Sequence, residues 1–154
     1  MANMPTPEQL ETWRHLQWAN AVIMSRFRRD LAEFDLTIEE FDVLVHLAWA
    51  PSSSLPLHEL TESMVTGSAL SRSGITRLLD RMERDELVRR DLNRGDRRRF
   101  DVTLTRKGRA RYDEVWLPHE DGIQEYFVTP LSKRDIADLS RILAKLIDAN
   151  EQNI

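Results

Sequence analysis

Residues 69–105 read ALSRSGITRLLDRMERDELVRRDLNRGDRRRFDVTLT, and the spacing of apolar residues changes once inside this stretch. In its first part Leu70, Ile75, Leu78, Leu79 and Met82 recur at helical intervals, with Arg72, Thr76, Arg77, Arg81 and Arg84 on the other side. That pattern predicts an amphipathic helix over about residues 69–85. Beyond it, Val88-Arg89-Arg90-Asp91-Leu92 and Phe100-Asp101-Val102-Thr103-Leu104 alternate with period two across the turn-forming Asn93-Arg94-Gly95-Asp96. This is the signature of a two-stranded hairpin. Such a hairpin is not stable alone in water, so it must pack on the helices beside it.

Upstream, a short helix is expected around residues 57–65, closed by Thr66-Gly67, and Pro51, the three serines 52–54 and Pro56 read as a loop. Thr37 and Glu40 form a capping box that opens a helix striped by Phe41, Leu44, Leu47 and Ala48 and ending near Pro51. Residues 8–34 carry Leu10, Trp13, Leu16, Ile23, Met24, Phe27, Leu31 and Phe34, a long helix whose apolar face is wider than one packing contact requires. Downstream, Thr105 can cap a helix that passes Tyr112 and Trp116, and Pro118 is expected to kink or interrupt it. Ser132 and Asp135 make a further cap, followed by the stripe Ile136, Leu139, Ile142, Leu143, Leu146 and Ile147. The fold class expected is therefore mainly α with a small two-stranded β-wing, a winged helix-turn-helix with extra terminal helices. Residues 1–35 form its N-terminal helix, 36–112 the winged helix-turn-helix, and 113–154 the C-terminal helices.

The overall net charge of −4 conceals a segregation. Residues 71–111 hold 14 Arg/Lys against 7 Asp/Glu, a net of +7, while the other 113 residues hold 8 basic and 19 acidic, a net of −11. A basic module on an acidic body suits a phosphate-binding surface, although exposed helices also carry such runs with their own carboxylates interleaved. Other classes fall away. Zero cysteine excludes disulfides, thiolate metal sites and thiol-based sensing. The four histidines, at 15, 46, 58 and 119, form no i,i+3 or i,i+4 pair, so no metal or other cofactor is expected. No stretch is long and apolar enough to span a membrane, and MANMPTPEQLETW has neither the basic nor the apolar region of a secretory signal, which points to the cytoplasm. Phosphate-binding glycine loops, zinc-protease helices and nucleophile elbows are all missing, so no enzyme activity is expected.

In a helix-turn-helix the second helix enters the major groove and its N-terminal residues meet the base edges. Here that end offers Ser68, Ser71, Arg72, Ser73, Thr76 and Arg77. Hydroxyls can bond phosphates or bases, and arginine takes guanine bidentately. The hairpin tip offers Arg94, Arg97, Arg98 and Arg99, suited to the negative potential of a narrow minor groove. Asp96, among these cations, is a poor phosphate ligand and is expected to pair with an arginine and stiffen the wing.

Residues 71–83, SRSGITRLLDRME, followed by Leu87-Val88-Arg89-Arg90, resemble the recognition helix of MarR-family bacterial transcriptional regulators. Asp96-Arg97-Arg98 with Val102-Thr103-Leu104-Thr105 and Gly108 is similar to that family's wing signature, and Leu36-Thr37 with Phe41, Val43 and Leu44 to its second-helix opening. The resemblance spans residues 36–112. It implies a repressor that binds a pseudo-palindromic operator in double-stranded DNA as a homodimer joined through its terminal helices. It also implies base contacts from the 71–77 segment and minor-groove contact from Arg98 or Arg97. A small, often aromatic, effector between the dimer helices and the DNA-binding lobe would release the DNA. Trp13, Trp18, Trp49 and Trp116, with Arg14, His15 and His46, are the residues this chain offers to such a pocket, though each also reads as ordinary core or surface. One departure stands out, Glu86 where the family has glycine before the Leu-Val pair. If the helix ends there in a left-handed residue, glutamate costs about 1 kcal/mol. The rival function is a winged helix that docks a protein rather than DNA.

Overall fold

The computed structural model describes residues 4–67, 70–93, 95 and 99–151. Its elements are α1 (Pro7–Ala32), α2 (Ile38–Trp49), β1 (Ser54–Pro56), α3 (Leu57–Gly67), α4 (Arg72–Arg84), β2 (Val88–Leu92), β3 (Phe100–Leu104), α5 (Arg106–Ile123), a π-helical turn (Gln124–Val128) and α6 (Lys133–Glu151). They divide into two compact units, Met24–Pro118 and the pair of segments Met1–Ile23 with His119–Ile154.

The Met24–Pro118 unit is the winged helix. On α4 the buried residues are Ile75, Leu78, Leu79 and Met82, the apolar set read from the sequence. They pack with Phe41, Val43, Leu44 and Leu47 of α2, Leu60 and Met64 of α3, and Val88, Val102 and Leu104 of the sheet. Each such side chain, fully removed from water, contributes about 1.5–3 kcal/mol. Leu31, Tyr112 and Val115 join the same core, so it draws on residues outside 36–112. The capping box on α2 is present. Thr37 Oγ1 accepts the Glu40 N–H at 3.2 Å and Glu40 Oε2 accepts the Thr37 N–H at 2.9 Å.

The wing has three strands where the sequence suggested two, in the order β1-β3-β2 and antiparallel throughout. Residues 54–56, expected as loop, pair with β3 in the register Ser54↔Thr103, Leu55↔Val102 and Pro56↔Asp101. Pro56 is tolerated because an edge strand can lack one donor, and Ser54 Oγ lies 2.9 Å from Thr103 Oγ1. A second difference is at Pro118, where α5 continues without interruption. The proline removes only the donor for the Glu114 carbonyl, and Glu114 lies on the exposed side of the helix.

Two helices of this unit end in left-handed residues that are not glycine, Asp35 at φ 51° and Glu86 at φ 60°. At the end of α4 the Leu87 N–H donates to the Met82 carbonyl (2.9 Å) and the Glu86 N–H to the Glu83 carbonyl (3.0 Å), the paired bonds of a Schellman ending. The expectation for Glu86 therefore holds. Its ion pair to Lys107 at 3.7 Å joins two exposed side chains and contributes little. Glu86→Gly is expected to raise stability by about 1 kcal/mol, or about 2–4 °C in Tm. Calorimetry that finds no rise would contradict this.

In the other unit, α6 opens on Ser132 and Asp135. Asp135 Oδ2 accepts both the Ser132 N–H (2.9 Å) and the Ser132 hydroxyl (2.6 Å), and Ser132 Oγ accepts the Asp135 N–H (3.2 Å). The bonds from Ser132 hold the Asp135 carboxyl below its ordinary pKa. Its contribution is thus present above the unfolded carboxylate range and lost as pH falls through that lowered value. The apolar stripes of this unit stay exposed, with Leu10, Trp13, Leu16, Trp18 and Val22 on α1 and Ile142, Leu146 and Ile147 on α6.

Candidate nucleic-acid interface

The N-terminal end of α4 is built by Ser71. Its extended backbone precedes the helix and its Oγ accepts the Gly74 N–H at 3.2 Å. A hydroxyl–hydroxyl contact of 3.0 Å links it to Ser73. The helix therefore starts at Arg72, three residues later than expected, because Ser71 takes the capping position. Thr76 donates its hydroxyl to the Arg72 carbonyl at 3.1 Å, leaving its methyl group and an acceptor lone pair for a partner.

The arginines of α4 fall into two sets. Arg81 Nε donates to Glu40 Oε1 at 2.8 Å, tying α4 to the capping box of α2. Glu40 is buried, so this pair fixes the seat of the helix more than it charges the surface. Arg84 Nε reaches the Asp80 carbonyl at 3.4 Å. Arg72 and Arg77, by contrast, are exposed, and among the described residues no carboxylate pairs with either. Uncompensated cations at the first two turns of an exposed helix are free to meet phosphate or guanine.

The wing is anchored to the same helix. Arg90 of β2 donates from Nη1 to Asp80 Oδ1 (2.7 Å) and Glu83 Oε2 (3.1 Å), and its backbone N–H donates to Glu83 Oε1 (2.9 Å). Arg89 pairs with Asp91 at 2.6 Å. At the base of the hairpin the Asn93 N–H donates to the Arg99 carbonyl (2.9 Å), and Asn93 Nδ2 bonds both Asp101 carboxylate oxygens at 2.9 and 3.0 Å. Gly95 N–H returns to Asn93 Oδ1 at 2.9 Å. Asn93, read from sequence only as a turn former, thus organises the hairpin base. Of the expected contacts, Ser71, Arg72, Ser73, Thr76, Arg77 and Arg99 are all exposed. Ser68, Arg94, Asp96, Arg97 and Arg98 lie outside the described residues.

Aromatic residues gather elsewhere in the same unit. Trp49 Nε1 donates to the Tyr112 hydroxyl at 2.8 Å, and the Trp116 ring lies 5.3 Å from Trp49 and 5.4 Å from Tyr112. Trp49 is nonetheless exposed. His46 on the same helix holds its Nδ1 at 2.8 Å from the Asp42 carbonyl. Burial pushes the Asp42 carboxyl up, against the opposing effect of His46 and with a smaller push from Glu39. Arg14, His15 and Trp18 line a shallow groove along α1 in the other unit, and Trp13 is exposed there. Among the described residues no cluster of three or more metal-ligating side chains occurs, and no helix is long and apolar enough to cross a membrane.

The profile of the Transcriptional regulator SarA/Rot family matches residues 27–115, more than half of the chain. The homoprotocatechuate degradative operon repressor of Escherichia coli is 30% identical over 107 residues, 70% of this chain and 68% of that one. The chain belongs to the SarA/Rot family of transcriptional regulators. The HTH-type transcriptional repressor MdtR of Bacillus subtilis is 32% identical over 98 residues, 64% of this chain and 60% of the relative's own length. Among solved structures, the MarR-family regulator AbsC from Streptomyces coelicolor superposes with a TM-score of 0.90 at 23% identity, covering 99% of this chain and 100% of that one. Sco3205 from the same organism, a MarR-family regulator solved in complex with DNA, gives 0.88 at 21% identity over 97% and 91%. These two likenesses carry the winged-helix fold with its terminal helices. Transcriptional regulators of this family are not enzymes.

Proposed function

We propose that this SarA/Rot-family regulator is a repressor that binds a pseudo-palindromic operator as a homodimer. The observation that carries the reading is the pair Arg72 and Arg77, exposed at the start of α4 without a carboxylate partner among the described residues, while Arg81 and Arg90 are neutralised. Ser73, Thr76 and the two arginines are its base- and phosphate-contacting residues, and the wing arginines 94, 97, 98 and 99 its minor-groove contacts. The acidic remainder of the chain repels DNA from other surfaces.

The dimer reading rests on the apolar stripes of α1 and α6. Trp18 is 72% exposed, Trp13 58% and Ile147 53% in the single chain, and contiguous apolar faces of that kind mark association surfaces. Twofold pairing also sets two recognition helices about one DNA turn apart. Light scattering at micromolar concentration should return twice the 18.0 kDa chain mass. A monomeric mass would overturn the dimer.

The effector is proposed to be an aromatic acid. The name of the Escherichia coli relative attaches it to an operon for degrading one such compound. Trp49 and Trp116 of this chain offer stacking surfaces, with the His46 imidazole on the same helix as Trp49. A mobility-shift assay on the region upstream of the protein's own coding sequence tests the reading. Retention released by an aromatic acid supports both parts, and retention that no aromatic acid affects removes the effector.

A further inference from the structure

In the Met24–Pro118 unit the ends of α1 and α4 open on one cleft of about 560 Å³, which the start of α5 also lines. At the end of α1 the Leu36 N–H donates to the Leu31 carbonyl and the Asp35 N–H to the Ala32 carbonyl, both at 3.1 Å, the same ending as on α4. Each ending buries a leucine at the cleft, Leu36 or Leu87, and brings an aspartate to it, Asp35 or Asp85. Among the described residues neither carboxylate has a hydrogen bond or an ion pair. A helix C-terminus carries partial negative charge, so both stand where a cation is favoured. The start of α5 is charged in the opposite sense. It opens on Arg106 and Lys107 with no acidic residue in its first turn, although a helix N-terminus favours an anion. Lys107 lines the cleft, and its 3.7 Å pair with Glu86, between exposed side chains, holds it weakly. Glu40, Arg111 and Glu114 also reach the cleft but are engaged, the first with Arg81 and the other two with each other. The groups left for a ligand are therefore two carboxylates, one ammonium and an apolar floor.

We propose that this cleft binds an apolar zwitterion, a free amino acid or a short peptide. Its ammonium lies at Asp35 and Asp85, its carboxylate at Lys107, and its side chain on Leu36, Leu87 and Ala110. The volume lies within the about 300–1,000 Å³ of small-molecule sites. Each charge of the ligand compensates side chains that the helix dipoles disfavour, a local conflict of the kind that functional sites retain. The bound molecule joins the end of α4 to α5 and to the link between α1 and α2, and so braces the helix at the end away from its exposed arginines. The cleft shares no residue with the Trp49 cluster or with the start of α4, and the proposal does not rest on the reading of either.

The test is isothermal titration of the intact protein with L-leucine and with L-leucyl-L-leucine, aliphatic probes that do not call on the tryptophans. The N-acetyl and C-amide forms of each are run alongside. Saturable binding of at least one zwitterion is expected, with its acetyl and amide forms weaker by about tenfold or more. Binding of leucine without the dipeptide assigns the site to free amino acids, and the reverse assigns it to peptides. The double variant Asp35→Asn, Asp85→Asn should bind the zwitterion as weakly as wild type binds the acetyl form, and Lys107→Gln as weakly as wild type binds the amide. Asparagine tolerates the left-handed backbone of position 35, so the unliganded double variant should melt no lower than wild type. Four results would each overturn the site: no saturable binding of either zwitterion at millimolar concentration, equal binding of the blocked forms, an unchanged preference in the variants, or a lower melt in the double variant. All of them leave the DNA reading standing.

Discussion

Gly108→Ala should strongly destabilise the winged-helix unit. A Cβ built on Gly108 would lie 2.0 Å from the Leu87 carbonyl oxygen, 3.0 Å from its carbon and 2.7 Å from Leu104 Cδ1. The main obstacle is backbone, which cannot swing aside as a flexible side-chain end would. That carbonyl is itself held, accepting the Thr105 N–H at 3.1 Å. Thr105 Oγ1 in turn accepts the Gly108 N–H at 2.9 Å and contacts the Glu86 and Leu87 carbonyls at 2.6 and 3.1 Å. Relief of the clash must push α5 away from β2 and break the cap that starts it. We expect a loss of about 3 kcal/mol or more, which is a large share of the about 5–15 kcal/mol that holds a domain together. Thermal melting of Gly108→Ala should fall by at least about 6 °C. A midpoint within about 2 °C of wild type would show that the close approach is relieved without strain.

The double variant Arg72→Ala, Arg77→Ala should abolish operator binding and leave the fold intact. Both side chains are exposed, and neither has a carboxylate partner among the described residues, so their removal strands no buried charge. Each good bidentate base contact is worth about 1–3 kcal/mol, so the pair should reduce specific affinity about 10²- to 10⁴-fold. Arg81→Ala makes an instructive contrast. Arg81 neutralises buried Glu40, so its loss should lower stability before it lowers affinity. A double variant that binds within about threefold of wild type, with an unchanged melt, would move recognition away from α4.

Much of this was legible because it is local. The period change between Met82 and Val88, the Thr37–Glu40 box and the Ser132–Asp135 cap each depend on residues a few positions apart, and each forms as read. So does the left-handed Glu86. A second box, in which Thr6 N–H donates to Gln9 Oε1 and Gln9 N–H to Thr6 Oγ1, is equally local. What was not legible is long-range. β1 is three residues long, too short to display a period, and its partner lies nearly fifty residues away. The basic segment carries a net of +7 with carboxylates interleaved, but which arginines they take is set by the fold: Glu40 takes Arg81 from a distant helix, and Arg90 folds back onto Asp80 and Glu83. Net charge along the chain counts such cations as available; geometry removes them. Gly108 could be recognised as part of a motif, but the carbonyl that demands a glycine there belongs to Leu87, in the turn before β2, twenty-one residues earlier in the chain.

The central claim is that the exposed start of α4 reads a DNA sequence. It is tested most directly by equilibrium titration of the intact protein against a labelled upstream duplex and its scrambled counterpart over a range of salt. The account predicts affinity for the upstream duplex about 10³-fold or more above the scrambled one, with log affinity falling linearly in log salt by about 0.9 for each phosphate contacted. Equal affinity for the two duplexes, or binding to neither at low salt, would contradict it.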